Sequence, residues 1–330
     1  MEIKAVEVAK LRKMTGAGMM DCKKALIEAN GDYEKAKEII REKGKLVAAK
    51  RADRETSEGS VITIANEARN KAILMCLGCE TDFVANTEGF RNLAQKIAEA
   101  ALAAFPADMD AFKAVKLGDF TVEECVTQEA GKTGEKHALP YYAKMEAPYI
   151  ATYIHINHKV AAMVGFNKEV SQELGKGIAM QVTAMNPVSI SKDDCPKDIV
   201  AKELEIAVQK TKDEQIQKAV ENALKKKGFN LYTAESEEHI NEGIMKGYIT
   251  EAQAQEIRDI KTKVAAEKAA NLPEQMINNI AQGRLGKFFK EQTLEEQEYI
   301  MESKVSVKDF IKSQDPEAKV VAFYRFSLND

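Results

Sequence analysis

Apolar positions in the first third of the chain alternate between two periods, one typical of strands and one of helices. The runs SVITIA (60–65) and KAILMCLGC (71–79) are rich in β-branched and apolar residues and are separated by the polar NEARN, which predicts a β-hairpin. Phe90, Ala94 and Ile97 then recur at helical spacing, which predicts an amphipathic helix. This segment is therefore predicted to be a hairpin followed by a helix.

The same order of elements returns later in the chain. The runs 149–156 and 160–166 predict a second hairpin, and the segment 170–185 predicts a helix after it. The alternating run KVVAFYRFSL (319–328) predicts a final strand paired with this second hairpin. We therefore expect an α+β fold whose core contains two repeated hairpin-plus-helix subdomains with antiparallel sheets, at 55–148 and at 149–195 with 272–330.

The N-terminal residues 1–54 are predicted to form a three-helix bundle similar to ubiquitin-associated domains, followed by a linker. The second helix ends at Asn30 and Gly31, a typical left-handed stop, and Asp32 can cap the third helix, which we expect to end at Gly44. Such a small unit buries little surface and is therefore expected to dock on something. The basic stretch 41–54 is interpreted as a solvated linker or helix, with a phosphate-binding arm as the alternative.

Residues 196–271 are rich in Lys, Glu, Gln and Ala and have few apolar positions. Ile257, Ile260 and Val264 keep helical spacing, so we predict an inserted antiparallel helical hairpin, a coiled-coil-like arm. The irregular stretch 225–250 is predicted to form its tip. If the protein forms a homodimer, this arm is the segment we expect to mediate it.

The two predicted repeats differ in how strand passes to helix. In the second copy little more than 167–169 joins the two elements, whereas the first copy adds residues 80–86. These additional residues are not needed for the connection, so we predict that they form a protruding loop that displays Phe83. Functional residues concentrate on such loops.

The overall charge and cysteine content exclude several classes of protein. The formal net charge is −4 with both signs interspersed, so neither direct nucleic-acid binding nor membrane binding is expected. The sequence has no apolar run of transmembrane length, and its start does not resemble a signal or transit peptide. Five scattered cysteines are typical of reduced thiols. A cytoplasmic location is therefore expected.

Two segments superficially resemble nucleotide-binding motifs. AGKT ends at Thr133, but a phosphate loop needs a glycine where Val126 stands. GAGMMD begins like a dinucleotide fingerprint, but Asp21 replaces its third glycine and a helix precedes it. We reject both motifs.

Possible metal or redox residues are also unconvincing. Cys76 and Cys79 form a lone CxxC in a predicted strand, where residues three apart face opposite sides. His155 and His158 flank a predicted turn without a third ligand nearby. We expect no cofactor, no metal and no catalytic chemistry of the chain's own.

Two further segments carry a resemblance to a known family. TGAGMMDCKKAL (15–26) and TDFVAN (81–86) resemble the signature segments of the elongation factor Ts family, and their order and spacing agree with it. QGRLGKFFKE (282–291) and FYRF (323–326) are similar to its closing segments. The predicted arm is longer than in the commonest members, and Gly286 stands where lysine is frequent.

The resemblance implies a guanine nucleotide exchange factor for the GTPase elongation factor Tu. Asp82 and Phe83 would enter the partner near its magnesium site, Phe83 would wedge between partner helices, and Thr81 and Val84 would shape the loop. Binding of Mg²⁺ and phosphate would thereby be disturbed, GDP would leave, and GTP could reload.

The resemblance also implies a second set of contacts with the partner. A helix of the partner's nucleotide domain would be gripped by Arg12, Met19, Met20 and Lys23, and His155 would also touch the partner. Adjacent methionines on a short helix cannot both face one core, so at least one is expected at the surface, where methionine adapts well to a partner.

Two other interpretations remain from the sequence. The N-terminal bundle alone would suit a protein-binding adaptor without exchange activity. A redox or zinc protein built on Cys76 and Cys79 is a more distant alternative.

Overall fold

The computed structural model describes residues 3–329 and confirms the α+β class, since long helices occur beside small antiparallel sheets. Contacts divide the chain into two units. The first contains the chain up to Ile190 and again from Glu298, and the second contains Ser191–Gln297.

Three helices open the first unit: α1 (Ala5–Thr15), α2 (Met19–Glu28) and α3 (Tyr33–Lys50). Gly16 ends α1 in the left-handed conformation, with φ of 71°. The Asp32 side chain caps α3 by accepting hydrogen bonds from the backbone N–H groups of Glu34 and Lys35, as predicted. Val8, Leu11 and other buried apolar side chains form a small core of their own.

The region after α3 contains a three-stranded sheet, and its elements are β1 (Glu58–Ala65), β2 (Lys71–Cys79), α4 (Asp82–Ala85), α5 (Glu88–Ala104), α6 (Met109–Lys113), β3 (Lys116–Leu117), β4 (Phe120–Thr121), α7 (Val122–Thr133) and β5 (His137–Glu146). The sheet has the order β1-β2-β5, and all of its pairs are antiparallel. The predicted hairpin and the helix after it are confirmed as β1, β2 and α5. Strand β5 was not predicted.

The central strand β2 is buried on both faces. Met75 and Leu77 contribute to the core shared with α5. Leu74 and Cys76 contribute to a second core that includes Ile150 of the second hairpin. A strand covered on both sides carries a continuous apolar run rather than an alternating one, as this segment does.

The prediction that α3 ends at Gly44 is wrong, because the helix continues to Lys50. Gly44 lies where α3 crosses α7. A Cβ atom at Gly44 would come within 2.9 Å of the Thr127 carbonyl oxygen, and one at Gly131 would come within 2.8 Å of the Gly44 Cα. The two glycines therefore allow close approach of the helices. Arg41 of α3 adds an ion pair with Glu124 of α7.

The second hairpin is confirmed as β6 (Tyr149–Ile154) and β7 (Val160–Phe166), and its helix as α8 (Gln172–Met185). The Ser171 hydroxyl caps α8 by accepting from the Leu174 backbone N–H. Helix α8 buries Leu174, Ile178 and neighbouring side chains and contacts both strands of the hairpin, as α5 does with the first hairpin.

The second unit is helical throughout its regular elements, which are α9 (Lys197–Lys226), α10 (Leu231–Ala234), α11 (Glu237–Met245), α12 (Glu251–Ala270) and α13 (Glu274–Gln292). Helix α9 contacts both α12 and α13. The unit is thus longer than the predicted arm 196–271, because α13 packs along α9 and is joined to it by the Arg284–Glu214 ion pair. The end formed by α10 and α11 has its own apolar core around Leu224, Ile240 and Ile257.

The chain re-enters the first unit at Glu298 and adds α14 (Val307–Gln314) and β8 (Val320–Ser327). Strand β8 pairs antiparallel with β7, which confirms the predicted final strand and gives the sheet order β6-β7-β8. The fully buried Gln181 of α8 donates to the carbonyl oxygen of Glu298 at 3.1 Å and accepts from the Ile300 N–H at 2.8 Å. One amide side chain thereby fixes the place of re-entry.

Candidate functional site

The additional segment 80–86 contains the one-turn helix α4 rather than an irregular loop. Thr81 caps this turn, because its hydroxyl accepts from the Val84 backbone N–H. Ala85 is buried against the α5 core and Val84 packs partly on it. Phe83 points away and is 82% exposed. The turn therefore has an anchored inner face and a single large aromatic on its outer face.

The base of this turn continues the pairing of β2 with β5 through side chains. The last paired residues are Cys79 and His137, so the same register sets Glu80 opposite Lys136 and Thr81 opposite Glu135. The Glu80 carboxylate accepts from the Lys136 backbone N–H at 2.6 Å. The Glu135 carboxylate accepts from the Thr81 backbone N–H at 3.1 Å and from its hydroxyl at 2.6 Å. Each segment thus supplies a carboxylate to a backbone amide of the other.

The end of α3 is tied to the same place. Arg51 donates to both carboxylate oxygens of Glu80, at 2.9 and 2.7 Å. The Lys136 ammonium donates to the carbonyl oxygens of Ala52 and Arg54, at 2.6 and 2.7 Å. The Lys136 N–H, followed by Arg51, holds the pKa of Glu80 below its ordinary value. Part of the basic stretch 41–54 therefore serves to fasten α3 to the base of the Phe83 turn.

The turn between β6 and β7 lies at the same end of the first unit as the Phe83 turn. Its His158 carbonyl oxygen accepts from the Val61 N–H at 2.8 Å, and Lys159 pairs with Glu58 at 2.7 Å. Glu58 is opposite Cys79 in the first sheet, directly before the Phe83 turn. His155, predicted as a contact residue, is exposed in this turn. Ile156 beside it is 88% exposed and was not singled out from the sequence.

The predicted N-terminal contact residues lie on the surface of α1 and α2. Arg12 and Lys23 are exposed, and Met19 and Met20 are 45% and 63% exposed. Both methionines are therefore at the surface, which agrees with the expectation that at least one would be.

The turn between these two helices packs near the end of α7. A Cβ atom at Gly16 would lie 3.0 Å from Cε of Lys132. Glu135, which holds Thr81, follows Lys132 by three residues. The N-terminal surface and the base of the Phe83 turn thus approach the same segment of chain.

The two cysteines of the CxxC lie on opposite faces of β2, as predicted. Cys76 belongs to the core between the sheets and Cys79 to the core under α5. Burial raises the pKa of the Cys76 thiol far above its ordinary value and that of Cys79 to about 12. Such thiols are poor nucleophiles and poor metal ligands. In the part of the chain that the structure describes, no group of three or more His, Cys, Asp or Glu residues could hold a metal.

Comparison with known proteins assigns the chain to a family. A sequence model described as "Elongation factor TS" matches residues 80–330, a span that begins at the base of the Phe83 turn. The chain belongs to the elongation factor Ts family. The elongation factor Ts of Bacteroides fragilis is 49% identical over 329 residues, and that of Parabacteroides distasonis is 48% identical over the same length; both matches cover 99% of either chain. The elongation factor Ts of Porphyromonas gingivalis is 35% identical over 330 residues, covering 100% of this chain and 99% of its own.

Membership of the elongation factor Ts family makes this chain a translation elongation factor. Because the relatives match over nearly their whole length, the long helical unit has a counterpart in them. No described helix combines the length and apolar character needed to cross a membrane.

Proposed function

We propose that the protein promotes release of GDP from elongation factor Tu by inserting the Phe83 turn beside the partner's magnesium and phosphate site. The observation that carries this proposal is Phe83 itself, which is 82% exposed on a turn held at both of its ends. A large aromatic so displayed contributes little to its own core and has most of its apolar surface free for a partner.

The mechanism follows from the difference between two states of the partner. A GTPase that binds Mg²⁺ and phosphate tightly releases nucleotide faster when a second protein stabilises a conformation with a poorer phosphate site. Burial of the Phe83 ring stabilises only the partner conformation that has opened a space for it. Asp82, exposed beside it, brings a negative charge to the same region. Thr81 and Val84 give the turn its shape.

The surfaces around the Phe83 turn would bind elongation factor Tu. Arg12, Met19, Met20 and Lys23 bind a helix of the partner's nucleotide domain, and His155 adds a contact from the β6–β7 turn. The approach of these surfaces to one end of the body supports a single partner that meets them together. We expect a minor role for the helical unit in release, because residues 205–270 lie outside the segments that resemble the family's signature.

The test is the release of fluorescent GDP from elongation factor Tu, with wild-type protein, Phe83→Ala and the matched control Tyr248→Ala. Tyr248 is also an exposed aromatic, at 72%, but it lies in the second unit. Truncating a buried aromatic hot spot costs about 2 kcal/mol or more, which corresponds to release slowed roughly thirtyfold. Tyr248→Ala should behave as wild type.

Linkage provides a second measurement. A factor that weakens GDP binding must itself be weakened by GDP to the same degree. The affinity of Phe83→Ala for elongation factor Tu should therefore depend less on GDP than that of the wild type. Wild-type release rates together with unchanged GDP sensitivity would refute the insertion. Binding without any stimulation by the wild type would favour the adaptor function instead.

A further inference from the structure

We propose that Glu135 is a positioning residue that holds Phe83 in its exchange-competent orientation by fixing Thr81, the cap of the α4 turn. This inference rests on the proposed function of Phe83 but concerns a residue outside the Phe83 segment. Glu135 is 54 positions from Thr81 in the chain and reaches it only because β5 pairs with β2.

The turn needs such an anchor because it is too short to be stable alone. A single helical turn fixes several backbone dihedrals for one or two hydrogen bonds, so isolated nuclei are unfavourable. Here Thr81 supplies the cap for the Val84 N–H, and its carbonyl oxygen accepts from the Ala85 N–H at 3.2 Å. Where Thr81 lies therefore decides where the whole turn lies.

Glu135 accepts hydrogen bonds from both donors of Thr81, its backbone N–H and its hydroxyl. One carboxylate oxygen accepts from the backbone N–H and the other from the hydroxyl. Hydrogen bonds to an ionised acceptor are shorter and stronger than neutral ones. The hydroxyl donates to Glu135 while its lone pair accepts from Val84, so the carboxylate also orients the capping oxygen.

Glu80 supports the same arrangement from the other strand by accepting from the Lys136 N–H, next to Glu135. The positions of Thr81 and Glu135 are thus set by two reciprocal contacts rather than by one. Lys136 and Arg51 then connect this pair to the end of α3. The base of the turn is consequently fixed to the sheet and to the N-terminal helices together.

The experiment compares Glu135→Ala with Glu146→Ala in the full chain. Glu146 is the last residue of β5, whereas Glu135 lies two residues before the start of β5; Glu146 pairs with Lys71 at 3.9 Å, so it controls for the loss of a carboxylate at the other end of this strand. In the free protein, Glu135→Ala should increase hydrogen exchange of the Val84 and Ala85 amides about tenfold, and Glu146→Ala should not. In the assay with elongation factor Tu, Glu135→Ala should slow GDP release about tenfold.

The double variant Phe83→Ala/Glu135→Ala separates positioning from general stability. If Glu135 acts through Phe83, the double variant is no slower than Phe83→Ala alone; losses that add, or unchanged exchange of Val84 and Ala85, would overturn the inference. Faster amide exchange in Glu135→Ala combined with normal release by Phe83→Ala would refute the proposed function of Phe83 and leave the positioning role intact. If Glu135→Ala does not fold, Glu135→Gln can replace it, because it preserves the shape of the side chain. Glu135→Gln should show faster amide exchange and slower GDP release, both by smaller factors. Wild-type behaviour of Glu135→Gln in both measurements would count against the inference.

Discussion

Replacing Gly131 with alanine tests the close crossing of α3 and α7. Alanine in a helix interior is favoured over glycine by about 1 kcal/mol. The added methyl group, however, would lie 2.8 Å from the Gly44 Cα, whereas carbon atoms in good contact are about 3.5–4.0 Å apart. The obstacle is backbone and cannot rotate away. Overpacking of this kind costs about 1–3 kcal/mol, so Gly131→Ala should not gain the usual benefit of alanine.

The matched control is Gly89→Ala in the first turn of α5, where a Cβ atom meets nothing within 4 Å. Both variants exchange a helical glycine for alanine in the same unit, so their difference isolates the crossing. We expect Gly131→Ala to be less stable than Gly89→Ala by about 2 kcal/mol, which is a difference in Tm of about 4–8 °C for a unit of this size. Scanning calorimetry measures both. Equal melting temperatures would refute the packing role of Gly131 and Gly44.

Three further predictions concern a carboxylate, the thiols and the helical unit. Because the folded-state pKa of Glu80 is lowered, its ionised form stabilises the fold above its unfolded-state pKa of about 4.5, and this contribution is lost as the pH falls through the lower folded-state pKa. The Tm of Glu80→Gln should therefore fall less than that of the wild type on acidification below about pH 4.5. Parallel curves of Tm against pH for the two proteins would contradict this. The Cys76→Ser/Cys79→Ser variant should melt at a lower temperature yet keep its rate of GDP release, and a thiol reagent should leave both cysteines of the native protein unlabelled. Replacing 220–261 with a short Gly-Ser turn removes the terminal core of the second unit and should preserve GDP release, whereas a folded but inactive protein would show that this part of the unit contributes to exchange.

Local signals allowed much of the fold to be predicted. The hairpins, the helices after them and the cap at Asp32 depend on residues within a few positions of each other, and the structure has them as predicted. Strand β5 was missed because it is an edge strand of mixed polarity that contains Pro140. The β2–β5 register shifts between Cys76 and Gly78, which leaves Pro140 unpaired at this irregularity.

Glycine was the other source of error, because its local signal is ambiguous. Gly44 follows a helix pattern and lies within the basic stretch 41–54, as a terminating glycine before a linker would, but its role is close packing against a helix about eighty positions later. Gly131, rejected as part of a phosphate loop, is the other half of that contact. No local pattern distinguishes a helix stop from a helix crossing.

The same distinction between local signals and tertiary packing applies to the candidate site. The exposure of Phe83 could be anticipated by comparing the two hairpin-plus-helix copies, since residues 80–86 exceed what the connection requires. The residues that hold the turn could not be anticipated, because Glu135 and Arg51 reach it through tertiary packing alone. At least one of Met19 and Met20 was expected at the surface, and both are exposed because Cys22, Ala25 and Leu26 supply the apolar face of α2.

The re-entry point at Gln181 bears on how the family can change length. Strands β7 and β8 meet although Asn167 and its hydrogen-bond partner Glu317 are 150 positions apart, with the second unit between them. Closing a loop twice as long costs only about 0.6 kcal/mol more, and an insert that folds around its own core costs less still. Since Gln181 fixes the returning backbone at Glu298 and Ile300, additions between the two strands do not alter their register. The helical unit can therefore become longer or shorter while the sheet that carries the β6–β7 turn stays unchanged.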